Sequence, residues 1–186
     1  TGVGSTVAVA RNDRRIEVGL FGCDGMSGTA IVMQSDHASN ETFMQIAGDG
    51  FSIEPDTLRA LLDQSPTLRR HLLRYVQAMM SQISQTALSN GHGKLEERLA
   101  RWLLMCHDRI RNDEMSLTHE FISVMLGVRR AGVTVGTHML EGKGLIRANR
   151  GQIVVLDRAG LENEAWKSYG APEADYDRLI GYDQPD

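Results

Sequence analysis

Arg129 and Arg130, followed by Ala131, Thr134, Val135 and His138, form the one group whose residue types and spacing suggest a specific chemistry. A guanidinium can pair with the O6 and N7 edge of guanine through two parallel hydrogen bonds, which gives about 1–3 kcal/mol of discrimination. Ala131, Val135 and the methyl group of Thr134 suit thymine methyls. On a helix that turns Val133 and Leu140 inward, these residues share the outer side. The two arginines then stand at the end that would enter a groove first. Arg147 and Arg150 follow on a short flap, placed to meet a neighbouring phosphate backbone. Thr118 and the backbone amides beside it can hold another phosphate, a contact that positions without reading sequence. Each arginine alone is as readily a solvated surface charge. Grouped on one scaffold, they point to duplex DNA.

The elements that must position them are legible in the same stretch. A helix is expected over Leu117–Leu126, with Thr118 as its cap, Glu120 in its first turn and Gly127 to end it. Phe121, Ile122, Met125 and Leu126 make its inward side. A second helix is expected from Arg129 to about Glu141. Leu145-Ile146-Arg147 and Ile153-Val154-Val155-Leu156 then flank a turn at Asn149-Arg150-Gly151, a two-stranded flap. Helix, tight turn, helix and flap together spell a winged helix-turn-helix.

The rest of the chain divides by its periodicity. Residues 3 to 53 read as β: Val3, Ser5, Val7, Val9 alternate into a turn at Arg11–Arg14, and Ile16, Val18, Leu20 alternate out. Further strands are expected at Ala30–Met33 and Thr42–Ala47. From Pro55 the period turns helical, with a short helix over Thr57–Leu62 and a long one from Pro66 to about Asn90-Gly91. That long helix carries two apolar stripes: Leu68, Leu72, Tyr75, Met79, Gln82, Thr86, and Leu73, Val76, Met80, Ile83, Ala87. Two stripes exceed what one neighbour needs, so a partner helix is expected. Leu68, Leu72, Tyr75, Met79, Ile83 and Thr86 are the residues chosen for it. Gly91-His92-Gly93 reads as a hinge. An amphipathic helix over Lys94–Ile110 follows, with Leu95, Leu99, Trp102, Leu103 and Cys106 inward. Asp157 is placed to cap a helix over Ala159–Trp166, and Ala171–Ile180 forms a last helical piece before a polar end expected to fray.

Bulk composition sets limits. The chain has 186 residues, 41% hydrophobic and 24% charged, with a net charge of −4. That total argues against a protein coated for nucleic acid, yet from Leu117 to Arg158 six basic residues stand against three acidic ones. The only two cysteines, Cys23 and Cys106, are too far apart in sequence for a metal motif and are expected as buried free thiols in a reducing cytoplasm. His37, His71, His92, His107, His119 and His138 show no ligand spacing, so no metal is expected. No apolar run approaches the roughly 20 residues of a membrane span. The opening Thr1-Gly2-Val3-Gly4, moving straight into strand, suggests a fragment.

Several motifs resemble the Crp/Fnr family of bacterial transcription regulators. They are Leu117-Thr118-His119-Glu120, Met125-Leu126-Gly127-Val128-Arg129-Arg130 and Leu140-Glu141-Gly142-Lys143-Gly144-Leu145-Ile146, with a looser match over Glu96–Leu103. The resemblance implies an α+β chain in three parts: a partial, jelly-roll-like β-roll sensor over 1–54, a short helix and a long dimerisation helix over 55–91, and the winged helix-turn-helix with C-terminal helices over 92–186. It also implies a homodimer on a pseudo-palindromic operator, in contact with RNA polymerase. Departures are visible. Where the family often shows Arg-Glu and a second Arg four residues on, this chain has Arg130, Ala131 and Val135. Gly136 and Thr137 stand where larger apolar residues are usual. The Gly-Glu and Arg-Ser/Thr pairs that hold a cyclic nucleotide are missing, with Ser39-Asn40 in the latter place. A buried phosphate without a cation is costly, so cAMP is not the expected effector and no other cofactor is evident.

Two other readings compete. A winged helix can dock proteins without touching DNA; salt-sensitive duplex binding separates the two. An enzyme would need acid–base pairs such as Glu96 with Glu97, or His107 with Asp108. Both pairs lie on an amphipathic helix, where charges normally face water, and no nucleophile or phosphate-loop motif accompanies them.

Overall fold

The computed structural model describes residues 2–110, 112–165 and 168–181. Strands β1 (Val3–Val9), β2 (Arg15–Phe21) and β3 (Glu41–Ile46) form an antiparallel sheet in the order β2-β1-β3. The expected alternation holds on its inner side, where Val3, Ser5 and Val7 are buried, but Val9 is exposed. Between β2 and β3, residues Thr29–Val32 form a single helical turn, α1, and not the expected strand. Gly28 enters that turn with φ 79°, and the Ile31 and Met33 amides close bonds back to Gly28 and Thr29.

Helix α2 (Pro55–Gln64) and helix α3 (Pro66–His92) follow, each opened by a proline whose missing N–H costs nothing in a first turn. Ser65 caps α3 by accepting from the Leu68 amide at 3.2 Å. The run Gly91-His92 does not break α3; the helix continues to His92 and ends at Gly93, whose amide still donates to Ser89 O at 2.8 Å.

The two stripes of α3 have fates that sequence alone did not separate. Tyr75 accepts from the Met26 amide and donates to its carbonyl, both at 3.0 Å. Met79 and Ile83 lie over Gly19, and Thr86 Oγ1 accepts from Arg101 at 3.1 Å. These four of the six residues expected to meet a partner helix therefore pack inside the protomer, while Leu68 and Leu72 are half-buried. Leu73 (46% exposed) and Met80 (55%) of the other stripe remain open, together with Leu88.

Helix α4 (Leu95–His107) is the centre of the molecule. Residues 99 to 106 are all buried, not only the expected stripe. One side meets the first sheet: Trp102 Nε1 donates to Glu17 Oε1 at 2.6 Å, and Gln45 Nε2 donates to Cys106 Sγ at 3.1 Å. The other side meets α6 (Arg130–Gly142) and α7 (Arg158–Glu164), and Arg98 donates to Leu126 O at the end of α5 (His119–Leu126). Arg101 reaches Ser168 O, Thr86 Oγ1 and Gln82 O, tying α4 to α3 and to the segment before α8 (Ala171–Ile180). A single apolar core runs from Val3, Val7 and Leu20 through α4 to Leu161.

A second sheet contains β4 (Glu114–Ser116), β5 (Ile146–Asn149) and β6 (Gln152–Val155) in the order β4-β6-β5. The expected flap of two strands thus has three. β4 escaped notice because three residues give too short an alternation, although Met115 and Leu117 both point inward. Asp157 caps α7 by accepting from the Gly160 amide at 2.9 Å, as expected; Trp166 and the polar end beyond Gly181 lie outside the described residues. Cys106 is buried but Cys23 is exposed, correcting the expectation of two buried thiols. No helix among the described residues is long and apolar enough to cross a membrane.

A core shared by both sheets makes a checkable statement. Leu103→Ala removes a fully buried side chain from α4 and should cost about 2–5 kcal/mol. In urea, probes in the first sheet and in the winged half should lose structure in one coincident transition, shifted equally by the substitution.

Candidate nucleic-acid interface

The interface is built on a tight link between α5 and α6. Thr118 Oγ1 accepts from the Phe121 amide at 3.1 Å and starts α5. At the other end, the Val128 amide donates to Ser123 O at 2.9 Å and the Gly127 amide to Val124 O at 3.2 Å. That nested pair needs a left-handed residue, and Gly127 supplies it with φ 63°. A side chain there would also meet Ile16 of β2 at 3.0 Å. The chain therefore reverses within three residues and starts α6 at Arg130.

One side of α6 is buried through Val133, Gly136, Thr137 and Leu140. Gly136 packs over Leu99 of α4, where a methyl would make ordinary contact at 3.4 Å from Cδ2. At Gly132 a methyl would lie 2.9 Å from Leu95 Cδ2, so the closest approach of α6 to α4 is there. On the opposite side Ala131, Val135 and His138 are exposed, Val135 at 59%. Thr134 is half-buried, and its hydroxyl is already engaged. It donates to Arg130 O at 3.3 Å and lies 3.1 Å from His119 Nδ1. Any contact it makes to a base falls to its methyl group.

The hairpin β5–β6 closes with Asn149 opposite Gln152. Arg150 and Gly151 form its two-residue loop with φ 39° and 85°, the left-handed pair that matches strand twist in tight hairpins. Arg150 thus stands at the tip and Arg147 on the strand, both exposed. Glu141 ties this wing to the end of α6 by accepting from the Ala148 amide at 2.7 Å.

Nine residues were expected at the interface, and the fold brings four of them, Thr118, Arg130, His138 and Arg150, around one open cleft of about 410 Å³ between α6 and the wing. Arg129, Ala131, Thr134, Val135 and Arg147 lie outside that cleft, on α6, its cap and the wing. Arg129, Arg130, Arg147 and Arg150 form no ion pair among the described residues. The two other basic residues of the stretch are spent internally. Lys143 meets Glu164 at 2.6 Å, and Arg158 meets Asp108 at 2.7 Å and Glu162 at 3.0 Å. Sequence reasoning passed over Glu141 because a carboxylate on a basic surface looks like background; its signal was the Glu-Gly-Lys-Gly run that places it one turn before the wing.

The match between these residues and known proteins is local in sequence and extended in fold. Residues 97–164 match the Crp-like helix-turn-helix domain family. The fold is shared, over 88–89% of the chain, with three solved structures. A chain from Eubacterium rectale ATCC 33656 assigned to the Crp/Fnr family superposes with a TM-score of 0.69 at 20% identity, over 89% of this chain and 77% of that one. FixK2 from Bradyrhizobium japonicum gives 0.63 at 18% identity, over 88% and 83%. A CRP-family transcriptional regulator from Thermus thermophilus gives 0.59 at 20%, over 88% and 84%. No curated protein sequence matches the chain. The matched residues take in α5, α6 and the wing, and also most of α4 on which they rest.

Glu141→Ala should release the wing without unfolding α6. The expected result is faster hydrogen exchange at the Ala148 amide, while Glu141→Gln, which keeps an acceptor, leaves its protection close to wild type.

Proposed function

We propose that this chain is a transcription regulator that binds duplex DNA as a homodimer, with α6 in the major groove and the wing against the flanking backbone. The observation that carries the reading is the set of four exposed arginines that form no ion pair among the described residues, on an α6 whose outer side is exposed. Arg129 and Arg130 open α6 and are first to reach base edges, where each bidentate pair with guanine adds about 1–3 kcal/mol of discrimination. Ala131, Val135 and the Thr134 methyl offer apolar contact to thymine. His138 borders the cleft. Arg147, Arg150 and Thr118 with its adjoining amides hold phosphates. Thr118 caps a helix start, where the dipole favours an anion.

The open stripe of α3 supports pairing with a second copy. Leu73, Gln77, Met80, Ser84 and Ala87 recur at alternating spacings of four and three and all face outward, the rhythm of a coiled-coil seam. Two copies joined there present two α6 helices to half-sites about one DNA turn apart, a pseudo-palindrome. The reading extends to a cytoplasmic, non-enzymatic protein that touches RNA polymerase. The reading leaves out cAMP as effector, because Ser39-Asn40 stand where the Crp/Fnr resemblance calls for the cationic pair that holds a cyclic phosphate. A signal reaching the first sheet passes to α4 and α5 through their shared core and so alters the spacing of the two α6 helices.

Selection from a random duplex pool, followed by salt titration, tests this. Binding should weaken steeply with salt. Arg130→Ala should cost about 1–3 kcal/mol and relax preference at one position, whereas Arg147→Ala should weaken all sequences alike and reduce the salt slope. No salt-sensitive duplex binding would sink the reading and favour protein docking. Met80→Lys, on the open stripe, should convert a dimer into a monomer by light scattering with the fold retained.

A further inference from the structure

A cavity of about 240 Å³ opens where α8 packs on α3, and it shares no lining residue with the cleft between α6 and the wing. Four parts of the chain meet there: the end of β2, the middle of α3, the residues just beyond α4, and α8. Its apolar lining is buried and comes from Leu20, Ala78, Met79 and Pro172. Three tyrosines add to it, and each has spent its hydroxyl within the protein. Tyr75 bonds both backbone polar atoms of Met26 at 3.0 Å, Tyr176 donates to Asp24 O, and Tyr169 meets Asp108 at 2.9 Å. What they offer an occupant is therefore ring surface. One of these rings already attracts a cation, since the Arg158 guanidinium carbon lies 5.8 Å from the Tyr169 centroid.

The charges around the cavity do not balance. Arg109 is paired with Asp24 at 2.8 Å, and Asp108 with Arg158 at 2.7 Å. Glu173 and Asp177 are left over, one turn apart on α8, and neither forms an ion pair among the described residues. Glu173 gives Oε2 to the Gly170 amide at 2.7 Å. Burial still holds its carboxyl above the usual range, against the pull of backbone amides and Arg101. Two acids without a counter-charge beside aromatic rings favour a cationic occupant. No group of three or more histidine, cysteine or acidic side chains suited to a metal occurs among the described residues, so the cation that fits is organic. A separate observation marks the site as incomplete. The Arg109 side chain is 9% exposed, and its Nε is buried without a hydrogen-bond partner, a donor the protein leaves unmet on the cavity wall.

We propose that this cavity binds a small aromatic amine, with the ammonium at Glu173 and Asp177 and the ring among Leu20, Met79, Pro172 and the tyrosines. The volume lies below the roughly 300–1,000 Å³ of drug-sized sites, which limits the occupant to a single ring and a short chain. An amine held there touches β2 and α3 on one side and the end of α4 on the other, and so joins the first sheet to the helix that supports α6. Use of the site to control DNA binding rests on the reading above, whereas the binding itself does not.

The test uses three probes that share one body and differ in the head: 2-phenylethylamine, 2-phenylethanol and phenylacetate. Each is titrated into the intact chain at neutral pH, followed by calorimetry and NMR. The amine should bind saturably and about tenfold or more tighter than the alcohol, with phenylacetate weakest. Resonances of Leu20, Ala78 and Met79 should move with it. Glu173→Gln keeps an acceptor for the Gly170 amide, so α8 stays capped while the advantage of the amine over the alcohol falls about tenfold. Phenylacetate binding as tightly as the amine would overturn the proposal, because Arg109 would then govern the cavity. An absence of saturable amine binding, or shifts confined to residues outside the cavity, would overturn it as well. If Glu173→Gln fails to fold, the ranking of the probes on wild type and the location of the shifts still decide. None of these readouts involves DNA, so failure here is distinguishable from failure of the DNA-binding reading.

Discussion

A helix buried on every side must find partners for each polar group it carries, and α4 is such a helix. Its residues 99 to 106 are withdrawn from water, two of them with polar nitrogens. An unmade hydrogen bond in that setting would cost about 1–3 kcal/mol, and more for a charge. Trp102 finds Glu17 on the first sheet; Arg101 finds Ser168, Thr86 and Gln82 on the C-terminal segment and α3. The positions of three separate elements are thereby set by the chemistry of two adjacent side chains. The aromatic contacts follow the same line: Phe43 of β3 meets Phe121 of α5 edge-on at 6.4 Å, and Trp102 lies 6.4 Å from the same ring.

With α4 occupying the centre, the winged half has one side committed and one side free. α5 takes the place between α4 and β2, which leaves it no outward role beyond its capped N-terminus. α6 settles on α4 through small residues and keeps its other side in solvent. Charge is sorted by the same geometry. Lys143 and Arg158 lie near the acids of α7 and the end of α4 and are paired there, whereas the arginines of α6 and the wing form no ion pair among the described residues. A chain of net charge −4 thus presents a basic surface in one place.

Much of this was legible in advance because it depends on local rules. Thr118 before an apolar run and Gly127 after it bracket α5, and the Asn149-Arg150-Gly151 turn predicts the hairpin, since caps and tight turns are decided by the residues that form them. Val133 and Leu140 mark the inner side of α6 by spacing alone. Ala30–Met33 misled for the complementary reason: four apolar residues have no distinguishable period, and Gly28 with the preceding glycines let the backbone close a helical turn instead.

By itself, the sequence determined where helices start and stop, which side of α6 is apolar, and that arginines crowd around it, because each of these follows from neighbours a few residues away. Only the tertiary structure decided which stripe of α3 is covered, which basic residues are already paired, and that Ser5, Glu17, Gln45 and Trp102 share one buried site. Those facts depend on contacts between residues up to 85 positions apart, and no local pattern encodes the acid that will lie beside a given base or the sheet that will cover a given helix.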